Sequence, residues 1–313
     1  MAVVITNAKG IDGANYTPNS YAEFNDMIGK VADQYIREVE AKNPLAVFDK
    51  RPIDNGDTIE QAVVKLVEAT SYDATGAGAL TRDTRVKLAV KYFKDFNRYT
   101  YKTTVDRSKI RKVLVGERDA SSVAEMLVSV LGQSEIYDKY QFVKSLLLWG
   151  TTAASYDNTN PVLIHATDVP LASGKTDYKG ILKRMKDIVS GMQFVNADFN
   201  RAGVKRATRS EDIFIMMPYT LKNAIDVDEL AGVFNLDKAE LKSKIIEIDD
   251  TSNKYVYIVD RQAVLVYTRL REMVNQLNAD GLFYNFFLHV ENMFAISPLF
   301  DGCFFEYDTQ AQA

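Results

Sequence analysis

Apolar residues recur along this chain in two rhythms, and the switches between them outline its elements. Over residues 21–41, Phe24, Ile28, Val31, Tyr35 and Val39 return at three- and four-residue spacing, which predicts a helix capped by Asn19 or Ser20. The longest such pattern covers 119–149, carrying Val123, Met126, Leu127, Val130, Ile136, Tyr137, Tyr140, Val143 and Leu147 behind a Ser122-x-x-Glu125 capping box. Unbroken, it makes a rod of about 45 Å, with Gly132 expected to bend it. A third helix is predicted over 178–192, where Ile181, Leu182, Met185, Ile188 and Val189 share a face. Shorter helices are predicted after Pro218, at the capping box Asp237-x-x-Glu240, and near 271–277.

Strand-like runs fall between these helices. Residues 47–69 hold two β-prone runs around Asn55-Gly56-Asp57, a turn whose φ > 0 positions Gly takes without a Cβ clash, so an extended hairpin is predicted there. Its first run carries Asp49, Lys50, Arg51 and Asp54 and contains Pro52, which cannot donate to a central ladder. A two-stranded ribbon this polar needs a neighbouring surface, and another subunit could supply it. Residues 72–78 read as its flexible base. Within 88–115, Tyr99, Tyr101, Thr103 and Val105 point one way on a half-buried strand. Further strands are predicted at 162–165, 213–217, 245–248, 255–259 and 264–268, with an aromatic-rich run at 282–305. An arm is expected over 2–17, a domain junction over 150–160, and a loose tail from 308. The mixture is α+β, without internal repeats.

Composition narrows the function. The chain has 313 residues, 47% hydrophobic and 26% charged, enough to bury a large core as a soluble globular product. A formal charge of -4 argues against a dedicated duplex-DNA reader, whose affinity rests on many phosphate-neutralising Lys and Arg. Cys303 is the sole cysteine, so an intrachain disulfide and a cysteine-rich zinc site are excluded. Residues 1–25 lack a signal-peptide pattern and no apolar run is long enough to span a bilayer, so an intracellular product without membrane contact is expected.

Candidate chemistry is sparse. Ser173-Gly174-Lys175-Thr176 ends like a phosphate-binding loop, but the first glycine of that motif is replaced by Val169, followed by Pro170. His165 and His289 are the only histidines, which excludes a multi-His metal centre, and each reads as a satisfied residue at a strand end. Cys303 beside Phe304 and Phe305 reads as a buried structural thiol rather than a nucleophile paired with His289. The acidic runs Asp226-Val227-Asp228-Glu229 and Asp249-Asp250 lack calcium-loop spacing. Arg107, Lys109, Arg111 and Lys112 form a basic patch that suits nucleic acid, a partner surface or plain solvent. No catalytic, cofactor or metal site is expected; the elements suggest assembly.

The order of arm, helix, polar hairpin around 52–59, strand at 98–105, long helix, separate α/β region and late return to strands resembles the major capsid proteins of tailed bacteriophages, the Hong Kong 97 type of fold. The segments Tyr101-Lys102-Thr103-Thr104-Val105 and 288–298 are similar to capsid sequences of small tailed phages. The resemblance implies an N-terminal arm and helix (1–46), an extended hairpin loop (47–80), a peripheral domain with a spine helix (81–150), an axial domain (151–252) and a return to the peripheral domain with a tail (253–313). It implies a structural subunit forming hexamers and pentamers of an icosahedral shell around double-stranded DNA, located in the virion and assembled in the host cytoplasm. Asp49, Lys50, Arg51, Asp54, Asn55, Gly56 and Asp57 would then contact a neighbouring subunit. The hairpin begins too early to leave room for a cleaved scaffolding segment, so a separate scaffolding protein and a portal are the expected partners. Two other readings stay open: a non-viral shell of the same fold around enzyme cargo, and a soluble α+β enzyme.

Overall fold

The computed structural model describes residues 41–53, 56, 58–67, 69, 71–72, 74–76, 88–106, 120–172, 176–225, 244–249, 254–281 and 283–308, with backbone alone at 105–106 and 120–128. The predicted arm, nearly all of the helix at 21–41, and the capping box at Asp237 and Glu240 lie outside the described residues. Two compact units result. The smaller takes Tyr99–Tyr137 and Arg271–His289 with residues 41–42; the larger takes Asn43–Arg98, Asp138–Leu270 and the chain from Val290.

The larger unit is built on a five-stranded mixed sheet of β4 (Ile164–His165), β10 (Gly302–Glu306), β7 (Tyr255–Asp260), β5 (Ile213–Pro218) and β6 (Ile245–Ile248), in that order. β5 runs parallel to β6 and antiparallel to β7, while β10 runs antiparallel to β7 and parallel to β4. Every residue of β5 is buried, which is why its sequence is continuously apolar instead of alternating. Successive side chains feed opposite faces of the sheet. Ile213, Ile215 and Met217 join Ile258, Cys303 and Phe305 beneath α2 (Tyr178–Met192), whose Ile181, Leu182, Met185, Ile188 and Met192 are buried. Phe214, Met216, Tyr257, Val259 and Phe304 face the other way and pack with Leu45, Phe48, Tyr140, Val143 and Leu147.

The last five come from a 3-10 turn (Pro44–Phe48) and α1 (Ala120–Gly150), with Leu45 and Phe48 on the turn and Tyr140, Val143 and Leu147 on the helix. α1 is helical through Gly132, where a Cβ would only touch the Arg271 guanidinium at 3.7 Å. Ser122 falls inside the helix rather than before it, which removes it as an N-cap. α2 matches its predicted span and is capped by Asp177, whose carboxylate accepts the Gly180 amide at 2.9 Å. Pro218 precedes α3 (Tyr219–Ala224), as its missing N–H allows.

A three-stranded sheet follows the order β3 (Asn97–Asp106), β9 (Phe283–Ile296), β8 (Val264–Asn278). In the smaller unit, Thr104 donates to Asn285 Oδ1 at 2.7 Å, Lys102 lies over the Phe287 ring, and Thr100 hydrogen-bonds His289 Nδ1 at 3.0 Å. These partners run in opposite directions along the two strands, the register of an antiparallel pair. Tyr99, Tyr101 and Thr103 are half-buried while Thr100, Lys102 and Thr104 are exposed, the predicted alternation. Arg271 Nε reaches the buried Glu135 carboxylate of α1 at 2.8 Å.

Two expectations need correction. Residues 271–277 are strand, not helix: Met273, Val274 and Leu277 mimic a helical face, but β9 supplies the backbone partners. The segments 151–252 and 253–313 also contribute strands to one sheet, and α1 contributes to both compact units. Finally, β1 (Ile59–Val64) does not pair back across Asn55-Gly56. Its antiparallel partner is β2 (Leu88–Phe93), from Ile59↔Phe93 to Val64↔Leu88. The ribbon therefore lies later in the chain than expected, and residues 72–78 fall in sequence between its two strands. The run before the turn goes elsewhere because β8 offers it an edge: Asp49 bridges Val266, and the amides of Lys50 and Ile53 donate to Val266 and Thr268 carbonyls at 2.9 and 3.0 Å.

Candidate assembly surface

The ribbon of β1 and β2 has two unlike faces. Ile59, Gln61 and Val63 point one way with Ala89 and Phe93, and all five are half-buried. Glu60, Ala62 and Val64 point the other way with Leu88, Val90 and Tyr92. That second face is open: Val64 is 73% exposed, Tyr92 59% and Leu88 48%. Leu66, Val67 and Tyr72, in the connection beyond β1, are exposed as well. Apolar side chains clustered on one face of a two-stranded ribbon are a docking surface rather than ordinary surface scatter.

The ribbon and the segment before it are tied by side chains to the turn between β7 and β8. Gln61 Nε2 donates to the Gln262 carbonyl at 3.2 Å, Lys50 Nζ donates to the Arg261 carbonyl at 2.6 Å, and Arg261 Nε donates to the Val47 carbonyl at 3.2 Å. Burial, reinforced by the Arg261 guanidinium, lowers the Lys50 ammonium to about 8. Lys50 thus has an acceptor within its own chain, and Asp49 is held beside β8. Arg51 and Gly56 are exposed, with Gly56 at φ 96°, where a Cβ would be strained. Asp54, Asn55 and Asp57 lie outside the described residues, as do Arg107, Lys109, Arg111 and Lys112 of the basic patch.

The chemistry-bearing residues are occupied structurally. His165 Nε2 pairs with Asp168 at 2.8 Å and its ring stacks on Phe304. His289 takes the Thr100 hydroxyl already described. Cys303 is fully buried, and burial, with Asp301 nearby, pushes its thiol far up. Asp249 is pushed up by partial burial but held below the usual carboxylate range by hydrogen bonds from Tyr140 and Lys144. Val169 spends its amide on the Glu306 carbonyl, so it cannot cradle a phosphate. Ser173, Gly174 and Lys175, the run Asp226-Val227-Asp228-Glu229, and Asp250 lie outside the described residues. Among the described residues there is no group of three or more His, Cys, Asp and Glu able to hold a metal, and no helix long and apolar enough to cross a membrane.

Sequence reading missed Val64, Leu88 and Tyr92 because it took 88–115 as one block. The available signal was two short β-prone runs flanking a small-residue, Gly-containing connection.

Known proteins point the same way. The major capsid protein of Bacillus phage GA-1 is 25% identical over 87% of this chain, which spans 58% of that relative's length. That of Streptococcus phage Cp-1 is 22% identical over 92% of this chain and 83% of its own. A chain of the capsid structure of Staphylococcus phage Andhra superposes with a TM-score of 0.73 over 89% of this chain and 88% of its own, at 11% identity. The α+β fold is thus of the expected Hong Kong 97 type. The Phi29-like phage major capsid protein family matches residues 6–306, nearly the whole sequence, and the chain belongs to that family.

Proposed function

We propose that this chain is the major shell subunit of a tailed bacteriophage, self-assembling into hexamers and pentamers that close an icosahedral shell around double-stranded DNA. The observation that carries this reading, beside family membership, is the open apolar face of Val64, Leu88 and Tyr92 on a ribbon tied down at one end. A second copy of the chain is the occupant that matches, because repeated identical contacts make modest interfaces strong. The ribbon is the arm that lies on an adjacent subunit, with Arg51, Asp54, Asn55, Gly56 and Asp57 just before it in the sequence. α1 is the spine of the peripheral region, and the sheet with α2 forms the axial region. A separate scaffolding protein and a portal complete the assembly, which takes place in the host cytoplasm, and DNA is held without sequence specificity. The role is structural: His165 and His289 are engaged by Asp168 and Thr100, and Cys303 is buried.

The test is Val64→Asp with Leu88→Asp. Each apolar side chain removed from a contact costs about 1.5–3 kcal/mol, so intersubunit affinity falls at least tenfold. Electron microscopy should show particles lost while circular dichroism shows the subunit still folded. Normal particle yield from the folded double variant overturns the ribbon's role.

A further inference from the structure

Charge is spread unevenly along this chain. Between Tyr178 and Arg209 it carries eight Lys and Arg against Asp187 and Asp198, a local charge of +6 within a chain whose total is -4, so the remainder is strongly acidic. The fold gathers that basic segment in one place. α2 takes its first half, and residues 193–209 fold back on the end of α2. The Thr208 amide donates to the Met192 carbonyl at 2.7 Å, Asn196 Nδ2 donates to the Gly191 carbonyl at 2.7 Å, and the missing Cβ of Gly191 leaves room for the Phe199 ring. Phe199 packs with α2 on the sheet face opposite the one that α1 covers.

Part of this charge is used inside the fold. Arg206 Nη2 donates to the buried Asp260 Oδ2 at 2.7 Å, and Arg201 Nε donates to the Pro161 carbonyl at 2.8 Å. The helix keeps the rest. Lys179, Lys183 and Lys186 are exposed along the outer side of α2 with half-buried Arg184 beside them, and no carboxylate of the described residues stands in salt-bridge range of any of the four. Spacings of four and three residues set the lysines side by side, where like charges oppose the helix instead of supporting it. Ile181, Leu182, Met185 and Ile188 account for the buried half of α2. A solvated outer half needs polar residues, but it does not need a row of unpaired cations.

We propose that the outer side of α2 binds duplex DNA through its phosphates, and that this face of the larger unit is turned inward in the closed shell. The inference rests on the shell function proposed above and names the surface at which the enclosed duplex is met. A duplex carries one negative charge per about 1.7 Å of its axis, so a wall made of the acidic remainder of the chain repels it. A row of lysines spanning about 10 Å of helix neutralises phosphates and releases their counterions. Such contacts fix position without reading bases. An acidic polypeptide supplies charge as well, but a protein partner is held by apolar anchors, and the outer side of α2 from Lys179 to Lys186 exposes no large apolar side chain.

Fluorescence anisotropy of a labelled mixed-sequence DNA duplex, titrated with the full chain as free subunits over a range of sodium chloride, tests this. Binding should be present at low salt, alike for unrelated sequences, and lost as salt rises. In the variant Lys179→Gln with Lys183→Gln and Lys186→Gln, the slope of log affinity against log salt should fall by about 2–3, near 0.9 for each phosphate contact removed. The same charge change at exposed Lys42, Lys91 and Lys94 should leave the slope near that of the parent. Circular dichroism and electron microscopy should show the α2 variant folded and forming shells, and closed shells of the unmodified chain should not bind duplex added from outside. No binding at low salt, or an unchanged slope in the folded α2 variant, overturns the proposal. Binding of poly-glutamate without binding of the duplex overturns it too, as does binding of added duplex to closed shells. Failure of the unmodified chain to form shells counts against the shell function, and the duplex titration on free subunits is read independently of it.

Discussion

Lys50 carries a charge that its surroundings tolerate poorly, and its ionisation leaves a measurable mark. Burial and Arg261 bring the ammonium to about 8, below the ordinary value of 10.5, so between these limits the unfolded chain binds the proton and the folded chain does not. Stability contributed by this residue therefore rises as pH climbs from 8 towards 10. Thermal unfolding of Lys50→Met against the unmodified chain should show that rise flattened; identical slopes would remove Lys50 from the account. The sequence advertised Lys50 as a partner for some other surface, since a charge beside Pro52 looks solvent-facing. Its acceptor, the Arg261 carbonyl, is 211 positions away, and only the folded chain reveals it.

Among the elements, α2 is the one most plainly written in the sequence. Its apolar positions, its span and its burial coincide because a helix draws its pattern from residues three and four apart. β5 and β7 were legible for a similar reason, as largely apolar runs buried on both faces, and β6 as an isoleucine run broken by the exposed Glu247. Pairing was not. β1 reads as a strand, yet nothing in its alternation names Leu88–Phe93 as its partner in preference to the run before Asn55-Gly56, and that choice is settled by the edge of β8. The helix-like spacing near Met273 failed on the same account, because propensity yields to an available neighbour. One detail of α2 was hidden too. A Cβ at Gly191 would stand 2.7 Å from the Phe199 ring, so the residue is there for packing. Gly191→Ala should lower stability despite the gain of up to about 1 kcal/mol in helix propensity, and Asp177→Ala should cost about 0.5–2 kcal/mol through the lost cap. Urea denaturation measures both; a Gly191→Ala chain more stable than the parent would show that Phe199 moves aside freely.

For the molecule as a whole, the proposed interface is apolar, and that fixes how assembly should respond to conditions. Hydrophobic association weakens on cooling, whereas contacts between exposed charges weaken with salt. Light scattering of assembling subunits should fall as temperature drops and change little between low and moderate sodium chloride. Strong salt sensitivity without cold sensitivity would place the driving contacts among charged residues instead. A last consequence comes from the strand order. β10 lies between β4 and β7 although it is the latest strand of that sheet to be translated, so the sheet remains divided until residue 306 has left the ribosome. Long-range closure of this kind is slow. A polypeptide interrupted upstream of Gly302 lacks an interior strand of the sheet, so translation itself screens out fragments before they can enter a lattice of complete copies.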